Sequence, residues 1–579
     1  MPSHMAEGTE RASRAVSIAW VAGAVALGVV LGFLALLPPS PTEADADPAG
    51  FSAERAFEHV VAVATEPHPV GSASNAEVRN YIVATLEALG LESELQTIEV
   101  PDYFGDPSRT VPVVNVVARI DGEEAFGAVA LVAHYDTVPT TTGANDNSAG
   151  VAALLETARA LLAGPPLSND VILLFTDGEE PAPRFGSSAF VGEHRWASDI
   201  GLVVNLESAG GSGPSMLIDV AGPQAWLIDS FAQAVPYPVA FSFVTELVDL
   251  IGGSNTDFAP FRDSGVSGFE FAYLHESPIY HTAGDTVNNV NLGSLQHHGS
   301  HTLSLTRHFG ETDLTQQPPT GESVYFTIIG NVVVRYPTEW AALSAIVVAL
   351  LVGIAATRRI RRNGQSLSSV FVGVGVVLLA IVAATVAASA VWRLLVAVRQ
   401  QPGLLESYSY LFGLIALAVG LFLVILKLFE YRVRHIDVAA GTVIVWAGLG
   451  LATGLWLPGA SYLFIWPALI GVLALSLDRH RQDPARTSTV WVGVLIALAV
   501  PTLILFTPAV DFFFQMAQSR PGNPDSQVTE LVAVSIFLSV LVAALVSAGS
   551  YPQRTWTTQR ASDWHANDPP PEPEQIDSA

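Results

Sequence analysis

Residues 128–162 read AVALVAHYDTVPTTTGANDNSAGVAALLETARALL and join an apolar run to a helical pattern through a polar loop. The run at 128–134 is short, continuous and apolar, which is typical of a strand that is buried on both faces. The spacing of apolar residues from about 147 to 163 predicts a helix. A buried strand followed by a helix is the repeating unit of α/β proteins with a parallel sheet.

The same alternation continues on both sides of this stretch. Strand-like runs lie at 111–120, 171–176, 202–206 and 269–272, and helical spacing lies at 53–65, 75–89, 224–235 and 292–309. We therefore predict an α/β domain over residues 51–309, in which helices sandwich a mixed, mostly parallel sheet. Ligands of such sheets bind beyond the carboxyl ends of the strands, so the residues that follow each strand are the first candidates for chemistry.

Composition narrows the class of protein. The 579 residues carry a formal net charge of −27, are 50% hydrophobic and contain no cysteine. Residues 41–340 hold 39 acidic residues against 10 arginines, so the acidity belongs to the predicted α/β segment. This charge argues against nucleic acid as a partner, because phosphate binding needs a basic surface. Without cysteine, any metal must be held by histidine, aspartate or glutamate.

Apolar segments flank the predicted domain. Residues 15–37 carry no charge and are long enough to cross a bilayer, which predicts a transmembrane signal anchor followed by a linker at 38–50. After a connector at 310–339, seven apolar runs lie at 340–357, 369–392, 409–426, 438–456, 460–477, 490–510 and 529–549. We therefore predict an integral multi-pass membrane protein whose residues 340–549 form an all-α, seven-helix domain.

Basic residues predict the orientation of these eight spans. With residues 1–14 in the cytoplasm, most arginines that flank the spans fall on the cytoplasmic side, as the positive-inside rule requires. The α/β domain is then extracytoplasmic, and the tail at 550–579 is cytoplasmic and disordered. We expect the cell membrane as the location. Only the Arg393 end of a span carries an ionisable group, which gives transport little support.

Five candidate metal ligands follow predicted strands or lie in loops beside them. They are His134, Asp146, Glu180, Glu207 and His281. Each has a structural explanation when taken alone; Asp146, for example, could cap the helix that follows it. Two histidines and three carboxylates at one edge of a sheet nevertheless form the ligand set of a site for two metal ions.

Two further acidic residues suit hydrolytic chemistry. Asp136 lies two residues beyond His134 and can orient its imidazole ring. Glu179 and Glu180 are adjacent, so their side chains point in different directions, and one can bind a metal while the other accepts a proton from the attacking water. We predict Asp136 and one glutamate of the Glu179–Glu180 pair as the catalytic residues of a metal-dependent hydrolase.

The ordered motifs resemble the di-zinc aminopeptidases of peptidase clan MH. The resemblance rests on HYDTVPTTTGANDNSAG, FTDGEE, VVNLESAG, GSNTDFAPFRD and YHTAGDT. The wording NLESAG, SNTDFAPFRD and YHTAGDT, followed by membrane helices, is most similar to the endoplasmic reticulum metallopeptidase and vacuolar membrane protease branch. The resemblance implies that Asp146 bridges two zinc ions. It implies that His134 and Glu207 complete one site, and that Glu180 and His281 complete the other.

The resemblance also implies Glu179 as the general base. Tyr280 is expected to contact the substrate, and Asp257 is expected to support a metal-binding loop. Two features depart from the family: Glu207 stands where many aminopeptidases have aspartate, and eight predicted spans stand against the nine that are usual in the branch.

The implied function is a membrane-anchored zinc aminopeptidase that removes N-terminal residues from extracytoplasmic peptides. Its expected partners are a peptide substrate and the lipid bilayer, and no nucleic acid. Two alternatives stay open on the same fold. One is a glutaminyl cyclase, a reaction that one zinc ion can support, and the other is a catalytically silent receptor or assembly protein.

Overall fold

A computed structural model describes residues 23–124, 126–180, 184–316, 318–329, 331–363, 366–399, 407–477 and 484–518. Four predicted segments lie wholly or partly outside these residues: the N-terminus at 1–14, the start of the anchor at 15–37, the last span at 529–549 and the tail at 550–579. Within the described residues, an α/β domain is followed by a helical region.

A sheet of seven strands, counted over the described residues, forms the centre of the α/β domain. The strands are β1 (Ser93–Pro101), β2 (Thr110–Ile120), β3 (Ala128–His134), β4 (Asp170–Thr176), β5 (Ile200–Ser208), β6 (Met216–Ala221) and β7 (Ser267–Tyr273). Their spatial order is β1-β2-β4-β3-β5-β7-β6. Strands β4, β3, β5 and β7 are parallel and central, whereas the antiparallel pairs lie towards the two edges. The predicted fold class is confirmed.

Helices cover both faces of this sheet. The described helices up to residue 310 are α1 (Gly23–Leu34), α2 (Ala53–Val63), α3 (Ala73–Ala88), α4 (Ser148–Leu162), α5 (Phe185–Glu193), α6 (Gln224–Ala234), α7 (Ser242–Leu250), α8 (Phe258–Asp263) and α9 (Leu292–Gly310). Helices α2, α3, α4, α6 and α9 share one hydrophobic core with the sheet, and α5 and α8 share another. Along β3, Val129 and Leu131 face the first core while Ala130 and Val132 face the second. This explains why β3 reads as a continuous apolar run.

The edges of the sheet were harder to predict than its centre. Strand β1 reads SELQTIEVP and only Val100 in it is buried, so its sequence lacks the apolar run of a central strand. The predicted connector at 310–339 contains a two-stranded hairpin of β8 (Ser323–Ile328) and β9 (Val332–Pro337). Neither feature was predicted, because a half-exposed strand buries few side chains and leaves a weak pattern.

The helical region consists of α10 (Glu339–Asn363), α11 (Leu367–Arg399), α12 (Ser407–Phe429), α13 (His435–Trp456), α14 (Tyr462–Leu477) and α15 (Pro484–Gln518). Over the described residues, five of these helices contain a segment long and apolar enough to cross a membrane: Glu339–Arg358, Leu367–Leu395, Tyr408–Phe429, Asp437–Trp456 and Val500–Gln518. They match five of the eight predicted spans. The apolar parts of α1 and α14 that the structure describes are shorter.

One end of the helical region packs against the α/β domain. Phe326 of β8 stacks on Tyr462 of α14, with ring centroids 4.2 Å apart. The Glu246 carboxylate accepts the backbone N–H groups of Gly459 and Ala460, in the turn between α13 and α14. A buried aspartate, Asp511 of α15, also contacts the domain, so the expectation that only the Arg393 end carries an ionisable group is wrong. Helix α15 runs past the predicted span and includes this residue.

Candidate metal centre

The sequence-predicted ligands meet at the carboxyl edge of the four central strands. His134 is the last residue of β3, and Glu207 is the penultimate residue of β5. Glu180 lies four residues beyond β4, and His281 lies in the loop that follows β7. Because β3, β4, β5 and β7 are parallel, their carboxyl ends lie at the same edge of the sheet. Asp146 reaches this edge from the loop before α4.

Three of the ligands form one group. His134 Nε2 lies 3.3 Å from Asp146 Oδ1 and 3.5 Å from Glu207 Oε2. All three side chains are buried. The Glu207 side chain is held by Asn205, whose Nδ2 donates to Oε1 at 3.2 Å. The arrangement directs one nitrogen and two carboxylate oxygens towards a common point, as a metal ion requires.

A second group shares Asp146 with the first. His281 Nε2 lies 3.2 Å from Asp146 Oδ2 and 3.1 Å from Glu180 Oε2. The two oxygens of Asp146 therefore face different groups, one towards His134 and the other towards His281. A carboxylate in this position can bridge two ions.

The polar atoms of the second group are suited to a metal rather than to one another. Asp146 Oδ2, Glu180 Oε1 and His281 Nε2 are buried and make no hydrogen bond, although Asp146 and His281 approach to 3.2 Å. Buried polar atoms are normally paired, so three unpaired ones at a shared position indicate a ligand. Histidine nitrogens and carboxylate oxygens suit zinc, and the residues present therefore fit this ion.

The alternative explanation of Asp146 as a helix cap is wrong. The residue that caps α4 is Asn147, whose side chain accepts the backbone N–H of Gly150 at 3.2 Å. Asn147 Nδ2 donates to the backbone oxygen of Leu206 at 2.7 Å, which ties the start of α4 to β5 beside Glu207. With the cap supplied by its neighbour, the Asp146 carboxylate is free to face the two histidines.

Electrostatics in the two groups follow from burial and from the facing charges. Burial opposes protonation of His281, but Asp146 and Glu180 outweigh it and raise the pKa of His281 to about 10. Burial and the Asp146 charge raise the pKa of Glu180 to about 7, although His281 acts in the opposite direction. In the absence of a cation, His281 and Glu180 therefore both favour their protonated forms. A bound divalent cation would replace those protons, because metal ligands must be deprotonated.

Asp136 lies at the same edge and contacts the His134 ring, with its backbone oxygen closer than its carboxylate. His134 Nδ1 lies 3.0 Å from the backbone oxygen of Asp136 and 3.7 Å from its carboxylate, so the close contact of the ring is with the backbone. The carboxylate instead accepts the backbone N–H groups of Glu179, at 3.1 Å, and Glu180, at 3.3 Å. Asp136 is completely buried and fixes the loop that carries both glutamates.

Glu179 lies beside both groups of ligands. Burial raises the pKa of its carboxyl well above the usual range, and the charges of Glu207, Glu180 and Asp257 add to this effect. The charge of His134 acts in the opposite direction. A raised pKa makes the Glu179 carboxylate a stronger base, which suits a group that accepts a proton from water.

The family of this domain follows from a comparison over its central part. Residues 115–306 match the peptidase family M28. The chain contains an M28 peptidase domain. The matched residues include all five candidate ligands and the loop that Asp136 holds, so the geometry described above belongs to the M28 domain.

The M28 domain also aligns with curated relatives. The chain is 28% identical over 333 residues to endoplasmic reticulum metallopeptidase 1 of Rattus norvegicus. This alignment covers 54% of this chain and 37% of the relative. It is 30% identical over 292 residues to the vacuolar membrane protease of Candida albicans (strain WO-1), which covers 50% of this chain and 33% of the relative. The chain thus spans about a third of the length of each.

Solved structures similar to the M28 domain include an aminopeptidase from Aneurinibacillus sp. strain AM-1 and a glutaminyl cyclase from Porphyromonas gingivalis. The aminopeptidase is 13% identical with a TM-score of 0.39, over 47% of this chain and 97% of that chain. The cyclase is 22% identical with a TM-score of 0.37, over 44% of this chain and 97% of that chain. The matched family and both named relatives are peptidases, and the apolar helices support a membrane protein.

Tyr280 and Asp257 also lie at the edge of the M28 domain where the ligands meet. The Tyr280 ring stacks on His281, with centroids 3.8 Å apart and an angle of 22° between the rings. Burial raises the pKa of the Tyr280 hydroxyl well above its usual range, with contributions from Asp146 and Glu180. Asp257 is buried and accepts a hydrogen bond from the Thr176 hydroxyl at the end of β4. It thus supports the strand that leads to Glu180.

Asp285 is a supporting residue of the M28 domain that the sequence analysis missed. Its carboxylate accepts the backbone N–H and the side-chain amide of Asn145, both at 2.8 Å, and the backbone N–H of Asp146 at 3.1 Å. Asp285 therefore fixes the residue that both ligand groups share. The signal was present in the motif YHTAGDT, in which Asp285 follows His281 by four residues.

His298 of α9 supports the M28 domain from the opposite side and was also missed. Its Nε2 lies 3.0 Å from the backbone oxygen of Glu207, and its Nδ1 lies 2.6 Å from the Ser215 hydroxyl. Burial lowers the pKa of His298 to about 3, so the ring is neutral and serves as a hydrogen-bonding partner rather than as a charge. Nothing in the local sequence of α9 distinguishes this histidine from its neighbours.

Proposed function

We propose that the chain is a membrane-anchored, zinc-dependent exopeptidase of the aminopeptidase type. The observation that carries the proposal is the pair of three-ligand groups that share Asp146, with Glu179 beside both. One shared carboxylate would suit a pair of metal ions that acts as in two-metal hydrolases. Two zinc ions are therefore the proposed cofactors.

The ligands divide into two sets in this proposal. His134 and Glu207 would hold one ion, Glu180 and His281 would hold the other, and Asp146 would be shared by the two groups. When bound, the zinc ions polarise the scissile carbonyl and lower the pKa of the attacking water. The protein contributes the fixed positions of the ligands, which Asp136, Asp285 and other buried hydrogen-bonding partners maintain.

Glu179 moves the proton in the proposed reaction. Its carboxylate accepts a proton from the water that attacks the scissile carbonyl, and it then donates this proton to the amine of the leaving group. The charges of Glu207 and Glu180 support this role, because they favour the protonated form of Glu179 after the first step. The Tyr280 hydroxyl, beside the same carboxylates, contacts the peptide.

Charge supports a free N-terminus as the group that is recognised. Residues 41–340 hold 39 acidic residues against 10 arginines, which produces a negative potential around the site. The α-amino group of a peptide is a cation near neutral pH and is attracted by this potential. An enzyme that removes N-terminal residues binds this cation at its active site, whereas an endopeptidase binds an internal segment of the peptide.

Contacts between the M28 domain and the helices support an extracytoplasmic orientation. The domain touches Gly459, between α13 and α14, and Asp511, near the end of α15. Both positions are ends of spans that the distribution of basic residues assigns to the outer side. The M28 domain then lies outside the cytoplasm in a cell membrane, with residues 358–362 inside.

Mass spectrometry of peptide products tests the activity. The detergent-purified full chain is incubated with matched peptides that have a free or an acetylated N-terminus, with and without a chelator. We expect stepwise, chelator-sensitive loss of N-terminal residues from the free peptides only. Internal cleavage of acetylated peptides would refute the exopeptidase assignment. Loss of ammonia from peptides with an N-terminal glutamine, without release of residues, would establish the cyclase alternative instead.

The orientation has its own test, which uses the absence of cysteine from the chain. A membrane-impermeant maleimide labels only cysteines that face the outside of intact cells. Ser108→Cys lies on an exposed turn of the M28 domain, and Ser368→Cys lies on an exposed part of α11 near the predicted inner side. We expect labelling of the first variant alone, and of both after lysis. The reverse pattern would overturn the orientation.

A further inference from the structure

The loop that carries His281 is attached to a membrane helix. His275 Nε2 lies 2.7 Å from Asp511 Oδ2 of α15, and the Ser277 hydroxyl donates to the backbone oxygen of Gln515 at 2.9 Å. The Tyr408 hydroxyl of α12 lies 3.4 Å from the other oxygen of Asp511. Helix α15 thus meets the start of this loop, and Asp511 stands at the centre of the contact, with Tyr408 of α12 on its other oxygen.

The same short segment reaches the metal ligands. Ser277–Ile279 forms a single 3₁₀ turn whose last residue is buried, and Tyr280 and His281 follow directly. His281 is four residues from Ser277, so the two Cα atoms are at most about 15 Å apart. The φ angle of His281 is 57°, in the left-handed region that residues other than glycine rarely adopt. Such a conformation persists only when surrounding contacts hold it.

His275 also contacts the loop that follows β5, the strand that carries Glu207. Its backbone N–H donates to the oxygen of Ser212 at 2.9 Å, and its backbone oxygen accepts the N–H of Gly211 at 2.8 Å. Gly211 and Ser212 follow β5, which carries Glu207. His275 therefore joins three parts of the molecule: the loop to His281, the loop from Glu207 and helix α15.

The contact between His275 and Asp511 gives a buried carboxylate of the membrane helix a partner. Asp511 is 1% exposed on a helix that is long and apolar enough to cross the membrane. A buried carboxylate in such a helix is costly unless it is paired. Burial opposes protonation of His275, but the Asp511 charge raises the pKa of His275 above its usual range, with a contribution from Glu276. The pair is thus a buried contact between an imidazole and a carboxylate, and its loss leaves the Asp511 carboxylate without this partner.

We propose that Asp511 is a positioning residue of the metal centre: through His275 it fixes the loop that presents His281 and Tyr280. The membrane helices then form part of the support of the active site and do more than anchor it. This inference rests on the proposed zinc peptidase function, and it assigns a role to residues outside the part of the chain that matches family M28.

The test compares variants of the full-length chain in detergent. The variants are Asp511→Ala, His275→Ala and the double variant, with Glu246→Gln as the matched control. Glu246 is a second acidic residue at the contact between the M28 domain and the helices, but it accepts N–H groups in the turn between α13 and α14 and does not touch the His281 loop. Hydrogen–deuterium exchange over residues 275–283 and zinc affinity by chelator competition are measured for each.

We expect Asp511→Ala to accelerate exchange over residues 275–283 and to weaken binding of one zinc ion about 10-fold, the usual cost of losing a supporting contact of a ligand. His275→Ala should do the same. The double variant should be no worse than either single variant, because the two residues act as one unit. Asp511→Glu should restore part of the affinity, and Glu246→Gln should change neither quantity.

Unchanged exchange and unchanged zinc affinity in Asp511→Ala would overturn the inference. Asp511→Asn keeps the shape of the side chain. If the alanine variant does not fold, hydrogen–deuterium exchange and zinc affinity are measured on Asp511→Asn instead, with the same expected and contradicting results. Both readouts are independent of turnover. A wild-type chain that binds zinc but releases no residues would therefore defeat the proposed function alone, whereas an active wild type with unresponsive variants would defeat the inference alone.

Discussion

The Asp136 carboxylate holds Glu179 by the backbone N–H of Glu179 and not by the Glu179 side chain. The Asp136 carboxylate accepts the N–H of Glu179 at 3.1 Å, and its other oxygen accepts the N–H of Glu180 at 3.3 Å. The backbone oxygen of Asp136 lies 3.0 Å from His134 Nδ1. One residue therefore sets the position of a metal ligand on β3 and of the two glutamates after β4. The proposed base and Glu180 depend on the carboxylate of Asp136, whereas His134 contacts its backbone oxygen.

Asp136→Asn should therefore impair turnover. The asparagine amide group would face one of the two backbone N–H groups, so one hydrogen bond would become a repulsive contact. We expect kcat to fall about 10- to 100-fold with little change in KM, because the loop is misplaced while the substrate pocket is kept. Steady-state kinetics with a peptide substrate measure both constants.

Glu156→Gln is the matched control for this variant. Glu156 is equally buried and accepts a backbone N–H, from Ser52, but it pairs with Arg55 and Arg159 away from the ligands. It should lower the unfolding temperature and leave kcat unchanged. Equal kcat in Asp136→Asn and the wild type would contradict the positioning role.

Glu179→Gln should abolish turnover and preserve metal binding. Glutamine has the shape of glutamate but cannot accept the proton of the attacking water. We expect kcat to fall by about 10²-fold or more, the usual contribution of a general base. Zinc content, measured by elemental analysis, should equal that of the wild type. Glu180→Gln offers the contrast, because it should lose zinc as well as activity. Full activity in Glu179→Gln would refute the assignment of the base.

Asp285→Asn should weaken both zinc ions together. The Asp285 carboxylate fixes the backbone on both sides of the Asn145–Asp146 peptide bond, and Asp146 faces both ligand groups. We expect the affinity for each ion to fall about 10-fold, as measured by chelator competition. Thr142→Val is the control, because the Thr142 hydroxyl donates to the backbone oxygen of Asp285 and not to its carboxylate. Loss of one ion only would argue against Asp146 as the shared ligand.

The metal ligands could be predicted because each lies at a recognisable local boundary. His134 ends a completely buried apolar strand, and Glu207 and Glu180 lie at or just beyond the ends of others. A parallel sheet brings such ends to one edge, so a pattern within short stretches of sequence was enough to group them. The alternation of strand-like runs and helical spacing, also a local pattern, predicted the sheet and its two helical layers.

The supporting residues could not be predicted in this way, because their partners are distant in sequence. Asp285 contacts Asn145 across 140 residues, and His275 contacts Asp511 across 236. No short-range periodicity encodes such a pairing. The contact of Asp136 with the loop after β4 was missed for a related reason: the sequence places Asp136 beside His134, whereas only the fold brings Glu179 and Glu180 to its carboxylate.

The buried histidines of α9 should make the stability of the M28 domain depend on pH: His298, whose pKa burial lowers to about 3, and two more, His297 and His301. His297 Nδ1 accepts the backbone N–H of Ser215, and His297 and His301 both direct Nε2 at the backbone oxygen of Tyr237. Burial lowers the pKa of His297 to about 4 and that of His301 well below its usual range. In the unfolded chain all three residues titrate near pH 6.5.

The sign follows from the number of protons in each state. At these histidines the unfolded chain binds more protons than the folded chain below pH 6.5, so their contribution to stability is complete above this pH and falls as the pH decreases towards 4. Each histidine should remove about 1.4 kcal/mol of stability per pH unit in this window. Thermal unfolding of the detergent-purified chain between pH 7 and pH 5 measures the trend, with chelator present throughout so that metal release does not contribute.

His301→Gln isolates one of these contributions. The glutamine amide can still donate to the oxygen of Tyr237 but does not titrate, so the variant should lose less stability between pH 7 and pH 5 than the wild type does. His59 provides the control, because it is partly exposed, its Nδ1 contacts the Tyr81 hydroxyl at 2.7 Å, and it lies outside the α9 cluster. His59→Gln should leave most of the pH dependence in place. An identical pH dependence in His301→Gln and the wild type would show that His301 does not remain neutral in the folded domain.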